Sequence, residues 1–446
     1  MGKYFGTDGF RGRANESLTA VHAFRVGRFL GRYFSRGRNG RARIVVGKDT
    51  RLSSYMLEYA FTAGATASGA DVYLLHVTTT PSVSYVARTD AFDCGIMISA
   101  SHNPYGDNGI KIINGAGEKM EERVLNLVEE YLDGGTLPLA TGEEIGRTVD
   151  YVAGRNRYLA YLLSLPRSSF RGLRVGLDCA NGSAWAISKA VFDALGAQVF
   201  AINAAPDGRN INSECGSTCP DGLCALVKEH SLDCGFAFDG DADRCIAVDE
   251  RGELVDGDAI LYACARYLRA RGELDGDGIV ATVMSNYGLL RSLQEEGISV
   301  KLTEVGDKFV YEEMVKSGLL LGGEQSGHVI FRKYATTGDG VLTAIKVAEA
   351  TLESKCPLSC LTRGFKRLAQ STGNVRVADK RKTLSSSAVL ACISEAEKRL
   401  SGGRILVRAS GTEPLIRILA EGENASECEA VVAMLQNAVR SATEEM

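Results

Sequence analysis

Six consecutive residues, Asp239-Gly240-Asp241-Ala242-Asp243-Arg244, carry the sharpest chemical signal in the chain. Three carboxylates within five residues repel one another unless a cation holds them. Small residues between them suit a tight loop that aims all three at one hard ion. Mg²⁺ held in this way keeps open positions for phosphate oxygens or water. An EF-hand is the obvious rival, because Glu250 falls at position 12 of such a loop. Two features oppose it: Arg244 stands where the turn glycine belongs, and the flanks, beginning with Gly235-Phe236-Ala237-Phe238, read as strands. The plainer alternative is a solvated acidic turn.

Three further segments have the residue types of a site. Ser99-Ala100-Ser101-His102-Asn103-Pro104 follows a strand-like run and presents a hydroxyl beyond the strand's C-terminal end, where α/β folds place ligands. His102 is a candidate base there, although an ordinary Asn-Pro turn fits the same residues. In Arg408-Ala409-Ser410-Gly411-Thr412-Glu413-Pro414, with Arg417 beyond, a glycine between two hydroxyls lets backbone N–H groups and side chains surround a phosphate, and the arginines add charge and forked donors. A hairpin loop with surface arginines is its alternative. Gly322-Gly323-Glu324-Gln325-Ser326-Gly327-His328 sets a carboxylate, a hydroxyl and an imidazole within a glycine frame, suited to reading sugar hydroxyls or an amine, or to a polar interdomain turn. Gly6 to Gly12, Lys48-Asp49-Thr50-Arg51 and Lys111 add basic and polar groups. A cation site, a hydroxyl, a phosphate cradle and a sugar-reading loop together point to phosphoryl transfer on a phosphosugar.

The elements that must position these loops alternate between strand-like and helix-like runs, the pattern of α/β layers with largely parallel sheets. At 446 residues the chain exceeds one ordinary core. A first block, 1–150, has strands at Arg43 to Gly47, Asp71 to Val77 and Cys94 to Ser99, a helix from Ser53 to Gly69, and a closing helix from about Gly117 with Val124, Leu127, Val128 and Tyr131 on one face. A second, 151–255, has strands near Arg174 to Cys179, Gln198 to Asn203 and Cys234 to Asp239. A third, 256–365, has helices Ile260 to Ala270 and Val341 to Leu352, with strands at Ile279 to Val283, Ser299 to Val305 and Leu319 to Leu321. The last segment, 366–446, reads as a smaller α+β unit. Its strands lie near Asn374 to Val377, Arg404 to Arg408 and Leu415 to Ala420, separated by one helix and followed by another in which Cys428, Val431, Val432 and Leu435 share a face. The expected fold is three similar mixed α/β domains in series plus this C-terminal α+β domain, around a central cleft.

Composition narrows the function. A formal charge of -4 gives no electrostatic footprint for nucleic acid or an anionic membrane, so an anionic substrate needs locally placed arginines. No apolar run is long enough to span a bilayer, and Met1 to Gly6 opens neither a signal peptide nor a myristoylation site. The 12 cysteines never form a C-x-x-C pair; Cys215, Cys219 and Cys224 are irregularly spaced, which favours thiols in a reducing cytoplasm over a metal role.

With these residues in place, the chain resembles the α-D-phosphohexomutase superfamily over essentially its whole length. The resemblance rests on GTDGFRG at 6–12, SASHNP at 99–104, NGIKI at 108–112, DCANG at 178–182, FDGDADR at 238–244, GGEQSGH at 322–328 and RASGTEPLIR at 408–417. It implies that Ser101 is a phosphoserine and that Asp239, Asp241 and Asp243 bind Mg²⁺ with one of its phosphate oxygens. It implies that Glu324 and Ser326 contact sugar hydroxyls and that Arg408, Ser410, Gly411, Thr412 and Arg417 hold the phosphate that is not reacting. Lys111, Arg11 and His328 become candidates for proton transfer or charge stabilisation. The activator implied is glucosamine 1,6-bisphosphate or glucose 1,6-bisphosphate, and homodimers occur in the family. Gln325, the GTDGFRG opening and Cys215-Gly216-Ser217-Thr218 look like the glucosamine branch, which interconverts glucosamine 6-phosphate and glucosamine 1-phosphate toward cell-wall precursors; the mannose and glucose branches are the alternative. Two rivals of other classes are an aspartyl phosphatase of the haloacid-dehalogenase kind, with Asp239 as nucleophile, and a noncatalytic phosphosugar-binding protein. A Thr or Val is wanted by the former where Asp243 stands.

Overall fold

The computed structural model describes residues 2–35, 40–400, 402–410 and 414–444. The described strands form four sheets, filled in chain order. The chain separates into two units: Met1–Met284 with Val300–Arg363, and Ser285–Ser299 with Gly364–Met446.

The first sheet comprises β1 (Phe10–Arg13), β2 (Arg43–Lys48), β3 (Asp71–Val77), β4 (Cys94–Ile98), β5 (Asp107–Asn114) and β6 (Thr148–Asp150), in the order β1-β5-β4-β2-β3-β6. β4, β2, β3 and β6 run parallel, whereas β5 is antiparallel to both β4 and β1. Strands covered by helices on both faces bury both sets of side chains, and successive residues point to opposite faces. Accordingly Ile44, Val46, Ile96 and Ile98 join one core while Val45 and Met97 join the other.

The second sheet repeats the plan. β7 (Arg174–Asp178), β8 (Gln198–Ile202), β9 (Cys234–Phe238), β10 (Cys245–Asp249) and β11 (Leu254–Val255) follow the order β11-β10-β9-β7-β8. β9, β7 and β8 are parallel, and β10 turns back antiparallel to β9. In the third, β12 (Gly278–Thr282), β13 (Ser299–Thr303), β14 (Leu321–Gly323) and β15 (Val329–Phe331) take the order β13-β12-β14-β15, with β12 and β14 parallel and β15 antiparallel to β14. Each of these three sheets thus has one place where a parallel strand ends and the chain reverses into an antiparallel neighbour. The three reversals are β4 to β5, β9 to β10 and β14 to β15, and they contain Ser101, the acidic loop and Glu324 to His328 respectively.

The fourth sheet, in the second unit, is antiparallel throughout: β16 (Ala369–Arg376), β17 (Arg404–Ala409) and β18 (Leu415–Gly422), ordered β16-β18-β17. The helix Ala425–Glu444 buries Cys428, Val431, Val432 and Leu435 in this unit's core.

Several elements depart from the sequence reading. The helix expected from Gly117 begins at Glu122, because Gly117 is left-handed at φ +79 and Asn114 Oδ1 accepts the amides of Ala116 and Glu118, closing a turn. The strand expected at Leu319 to Leu321 lies at Leu321–Gly323, since pairing with Phe331, Ile330 and Val329 sets its register. Two helices, Lys380–Leu384 and Ser387–Arg399, replace the single one expected between β16 and β17, because the extended backbone of Ser386 interrupts the run. β16 also begins five residues earlier than its apolar core suggested, carried by polar residues paired with β18. All cysteines are free and lie buried or half-buried. No described helix is long and apolar enough to cross a membrane.

Candidate active site

Ser101 lies just beyond the C-terminal end of β4, 1% exposed and left-handed at φ 52. Its amide donates to Ser99 Oγ at 2.9 Å, and its hydroxyl donates to Asp239 Oδ2 at 2.6 Å. The second contact joins the reversal of the first sheet to that of the second. Asp239, Asp241 and Asp243 are buried, and one ligand atom from each lies within 4.8 Å of the others. Ala242, left-handed at φ 55, bends the loop so that alternate carboxylates converge. Gly240 leaves room for the nucleophile loop: a Cβ there would stand 2.6 Å from the Ser101 carbonyl oxygen.

The charge of this cluster is only partly met. Lys111 on β5 donates to Asp241 Oδ2 at 2.7 Å and Asp243 Oδ2 at 3.0 Å, and Thr80 Oγ1 donates to Asp241 Oδ2 at 2.5 Å. Asp241 Oδ1 and Asp243 Oδ1 are buried without a hydrogen-bond partner. Burial and then the charges of Asp243 and Asp241 push the Asp239 carboxyl up to about 7. Burial also works against the Asp243 charge, but the Lys111 ammonium above all outweighs it and holds that carboxyl well below the usual range. Lys111 shows the reverse balance: burial opposes its charge, yet Asp241 and Asp243 raise it above the ordinary lysine value. Three converging carboxylates with two orphaned oxygens are a donor set that fits a hard divalent cation. Among the described residues no other group of three or more His, Cys, Asp or Glu side chains has this arrangement, so Cys215, Cys219 and Cys224 do not form one.

The third reversal supplies Glu324, half-buried, whose Oε1 accepts the Gly306 amide at 3.0 Å, and Ser326, exposed. The charge of Glu324 acts on both Arg244 and His328, which places these three groups together. His328 is buried with Nδ1 3.7 Å from Asp243 Oδ1 and Nε2 3.6 Å from Asp307 Oδ2. Burial pushes the ring down, and Asp243 and Asp307 bring it above its ordinary value. The Gly338 amide nevertheless donates to Nε2 at 2.9 Å, which requires a lone pair there, and we assign a neutral ring protonated on Nδ1 and facing Asp243. Arg11 pairs with Asp8, and its charge reaches Lys111 and His102. His102, 3.3 Å from Ser101 Oγ, is pushed down to about 4 by burial and then by Arg244 and Arg11.

In the second unit Arg408 and Arg417 sit directly opposite each other across β17 and β18. Like charges so placed are unfavourable without an anion. Arg408 Nε is buried without a hydrogen-bond partner. The Ser410 amide donates to Leu415 O at 2.8 Å, and Lys380 Nζ donates to Ser410 O at 2.6 Å. Gly411 and Thr412 lie outside the described residues. The sequence reading gave no site role to Thr80, Asp307 or Lys119, although Lys119 bridges Asp8 and Asp307 at 3.2 and 2.5 Å. Only Asp8 had a signal, its place in GTDGFRG.

A buried hydroxyl bound to an acidic triad, with a polar loop from the next sheet beside it, defines a phosphoryl-transfer protein of modular α/β type. Family models for phosphoglucomutase/phosphomannomutase match in series: alpha/beta/alpha domain I over residues 2–137, domain II over 156–252, domain III over 256–368 and the C-terminal domain over 373–438. The chain belongs to this family. It is 58% identical over 445 residues to a phosphoglucosamine mutase of Lachnospira eligens, covering 99% of each chain. A solved phosphoglucomutase/phosphomannomutase family protein from Burkholderia thailandensis shares the fold with a TM-score of 0.81 at 23% identity, over 99% of this chain and 98% of that one. An Aspergillus fumigatus N-acetylphosphoglucosamine mutase, solved with GlcNAc-6P and magnesium, aligns with a TM-score of 0.68 at 18% identity, over 99% and 96%.

Proposed function

We propose that the chain interconverts glucosamine 6-phosphate and glucosamine 1-phosphate through phosphorylated Ser101 and a 1,6-bisphosphate intermediate. The observation that carries the reaction type is the 2.6 Å contact between Ser101 Oγ and a buried triad holding unpartnered carboxylate oxygens. The sugar assignment is supported by the 58% identical relative, whose name is phosphoglucosamine mutase.

Asp239, Asp241 and Asp243 would hold Mg²⁺, which when bound draws charge from a phosphoryl oxygen. The remaining work falls to side chains. Phosphoserine donates its phosphoryl group to the free hydroxyl of the bound monophosphate: the Ser101 Oγ–P bond breaks, a bond from phosphorus to the sugar oxygen forms, and the proton released by the sugar hydroxyl ends on the freed Ser101 Oγ. Lys111, whose charge its acidic neighbours favour, stabilises the transferring group and, with Arg11, is a candidate for the proton transfer. His328, which faces Asp243, orients that carboxylate and remains a candidate for charge stabilisation or proton transfer. Glu324 and Ser326 read sugar hydroxyls, and Arg408, Ser410, Gly411, Thr412 and Arg417 hold the distal phosphate. The bisphosphate then turns over and returns its other phosphoryl group to Ser101, with glucosamine 1,6-bisphosphate or glucose 1,6-bisphosphate priming the enzyme. A cytoplasmic location and a homodimer belong to this reading on family resemblance.

The test compares kcat/KM for glucosamine 6-phosphate, glucose 6-phosphate and mannose 6-phosphate on one Mg²⁺-loaded, bisphosphate-primed preparation. A preference of about two orders of magnitude for glucosamine, roughly 2.7 kcal/mol, is expected. Equal or better turnover of the other sugars would overturn the sugar assignment. A phosphoenzyme labile to acid and hydroxylamine would replace phosphoserine with an acyl phosphate.

A further inference from the structure

In the reading above Ser101 carries the phosphoryl group, and this inference rests on it. Ser101 holds a left-handed backbone that serine does not favour, so its loop needs external restraint. The restraint falls on carbonyl oxygens. Arg51 Nη2 donates to Ser101 O at 2.9 Å and to Asn103 O at 2.8 Å, while Arg51 Nη1 donates to Asp107 O at 3.1 Å and to Pro104 O. Arg51 is fully buried and its Nε donates to Asp49 Oδ2 at 2.8 Å. The Arg51 guanidinium is therefore occupied mainly with backbone carbonyls.

A residue of the second block donates to the same loop. Asn212 Nδ2 donates to the same two carbonyls, Ser101 O at 2.8 Å and Asn103 O at 3.1 Å. Asn212 is itself left-handed at φ 56, and its amide donates to Ala180 O at 2.9 Å. The Asp178 carboxylate accepts the amides of Ala180 and Gly216, each at 2.9 Å, which fixes this support to the end of β7. On the neighbouring strand, β9 runs into the acidic loop, where the Ser183 amide donates to Gly240 O at 2.8 Å. One scaffold, built from the DCANG segment, thus carries both Asn212 and the loop of Asp239.

We propose that Asn212 is a positioning residue for phosphoryl transfer: its side-chain amide, donating to the same two carbonyls as Arg51, fixes the Ser101 loop of the first sheet against the acidic loop of the second. A donor from the second block lets the two halves of the reaction centre keep one register, which Arg51 alone, sharing a block with Ser101, does not provide. The role explains why an asparagine stands in a left-handed position that it and glycine tolerate best.

Two variants test this. Asn212→Gly removes the amide while keeping the backbone conformation accessible, and Asn212→Asp keeps the shape but turns a carboxylate oxygen toward two carbonyls. Enzymes are first labelled with ³²P-bisphosphate. Failure of wild type to label on Ser101 would refute the functional reading itself. With labelled wild type in hand, Asn212→Gly should lower kcat by about 30- to 100-fold, as a displacement near 1 Å does. KM should stay within about threefold, and a larger share of the phosphoryl group should pass to water in place of sugar. Asn212→Asp should be slower still. The inference is overturned if both variants, counted per phosphorylated site, keep kcat and the sugar-to-water partition within about twofold of wild type.

Discussion

Asp49 and Asp241 are both acids with no solvent exposure near the ends of strands in the same unit, yet their surroundings differ in kind. Asp49 is saturated: its oxygens accept the Arg51 amide, Arg51 Nε, Ser54 Oγ and Ser99 Oγ at 2.6 to 3.0 Å, and one guanidinium balances its charge. Asp241 shares the single Lys111 ammonium with Asp243, lies beside a third carboxylate, and leaves Oδ1 unpartnered. Burial of a charge is thus no mark of function by itself. Unmet charge and unmet lone pairs at one point are, because folding alone gives no reason to assemble them.

The largest effect that tests this contrast is at the hydroxyl facing the unmet cluster. Ser101→Ala should remove turnover by at least about three orders of magnitude and abolish ³²P labelling, with the thermal midpoint little changed. Retained sugar turnover in a well-folded variant would assign the phosphoryl group elsewhere. Next comes Asp241→Asn, whose amide oxygen still accepts from Thr80 and Lys111. Activity should fall at least about 10²-fold, and Mg²⁺ should no longer raise the thermal midpoint as it does in wild type by binding the folded state. Without Mg²⁺ the variant should melt no lower than wild type, since one repelling charge is gone. A metal-free variant much less stable than wild type would make Asp241 a structural acid like Asp49.

The counterpart is Asp49→Asn. Removing one member of a buried pair leaves the Arg51 guanidinium uncompensated, at a cost of about 3 kcal/mol or more. Denaturant unfolding should show the loss with and without Mg²⁺. A change below about 1 kcal/mol would erase the distinction between the two regions.

How much of this was legible in the sequence follows from range. The alternating architecture was legible because buried parallel strands are short apolar runs bounded by turn residues, as in Ile44 to Val46 and Ile96 to Ile98. The acidic loop was legible because its three carboxylates are local, and chain order alone puts them together. What escaped depends on contacts far apart in the chain. Nothing in Lys48 to Arg51, a run that reads only as basic and polar, shows that the Arg51 donors meet the carbonyls of Ser101 and Asn103, 50 or more residues away. Asn212 lies 111 residues from Ser101 and belongs to no local pattern of charge or periodicity. That the Gly338 amide donates to His328 Nε2 was likewise not legible, since it depends on a turn ten residues further on. Secondary structure failed where polar residues pair by register, as along Ala369 to Gly373.

Asp339 gives the smallest effect and the finest test of the contrast, because it shares a raised carboxyl with Asp239 but has the partners of Asp49. Burial pushes it up to about 6 against the hydrogen bonds from the Leu342 amide and Tyr158, which reach its two oxygens at 2.9 Å each. It caps the helix Gly340–Ser354, a structural task with no lone pair turned toward a ligand. A carboxyl whose folded value lies above its unfolded value near 3.9 binds its proton more tightly when folded, so stability falls as pH rises from about 4 through about 6 and is level beyond. An asparagine in its place would keep the cap through its side-chain oxygen, and the Tyr158 hydroxyl can rotate to accept from the new amide. Asp339→Asn should therefore flatten that part of the stability profile by a degree or two in thermal midpoint, with kcat within about twofold of wild type. Measuring both proteins at saturating Mg²⁺ keeps the acidic triad charged throughout and isolates Asp339. An unchanged slope would mean that its carboxyl is not raised, whereas a large fall in kcat would show that a fully partnered buried acid takes part in the reaction and that unmet lone pairs are too narrow a criterion for this site.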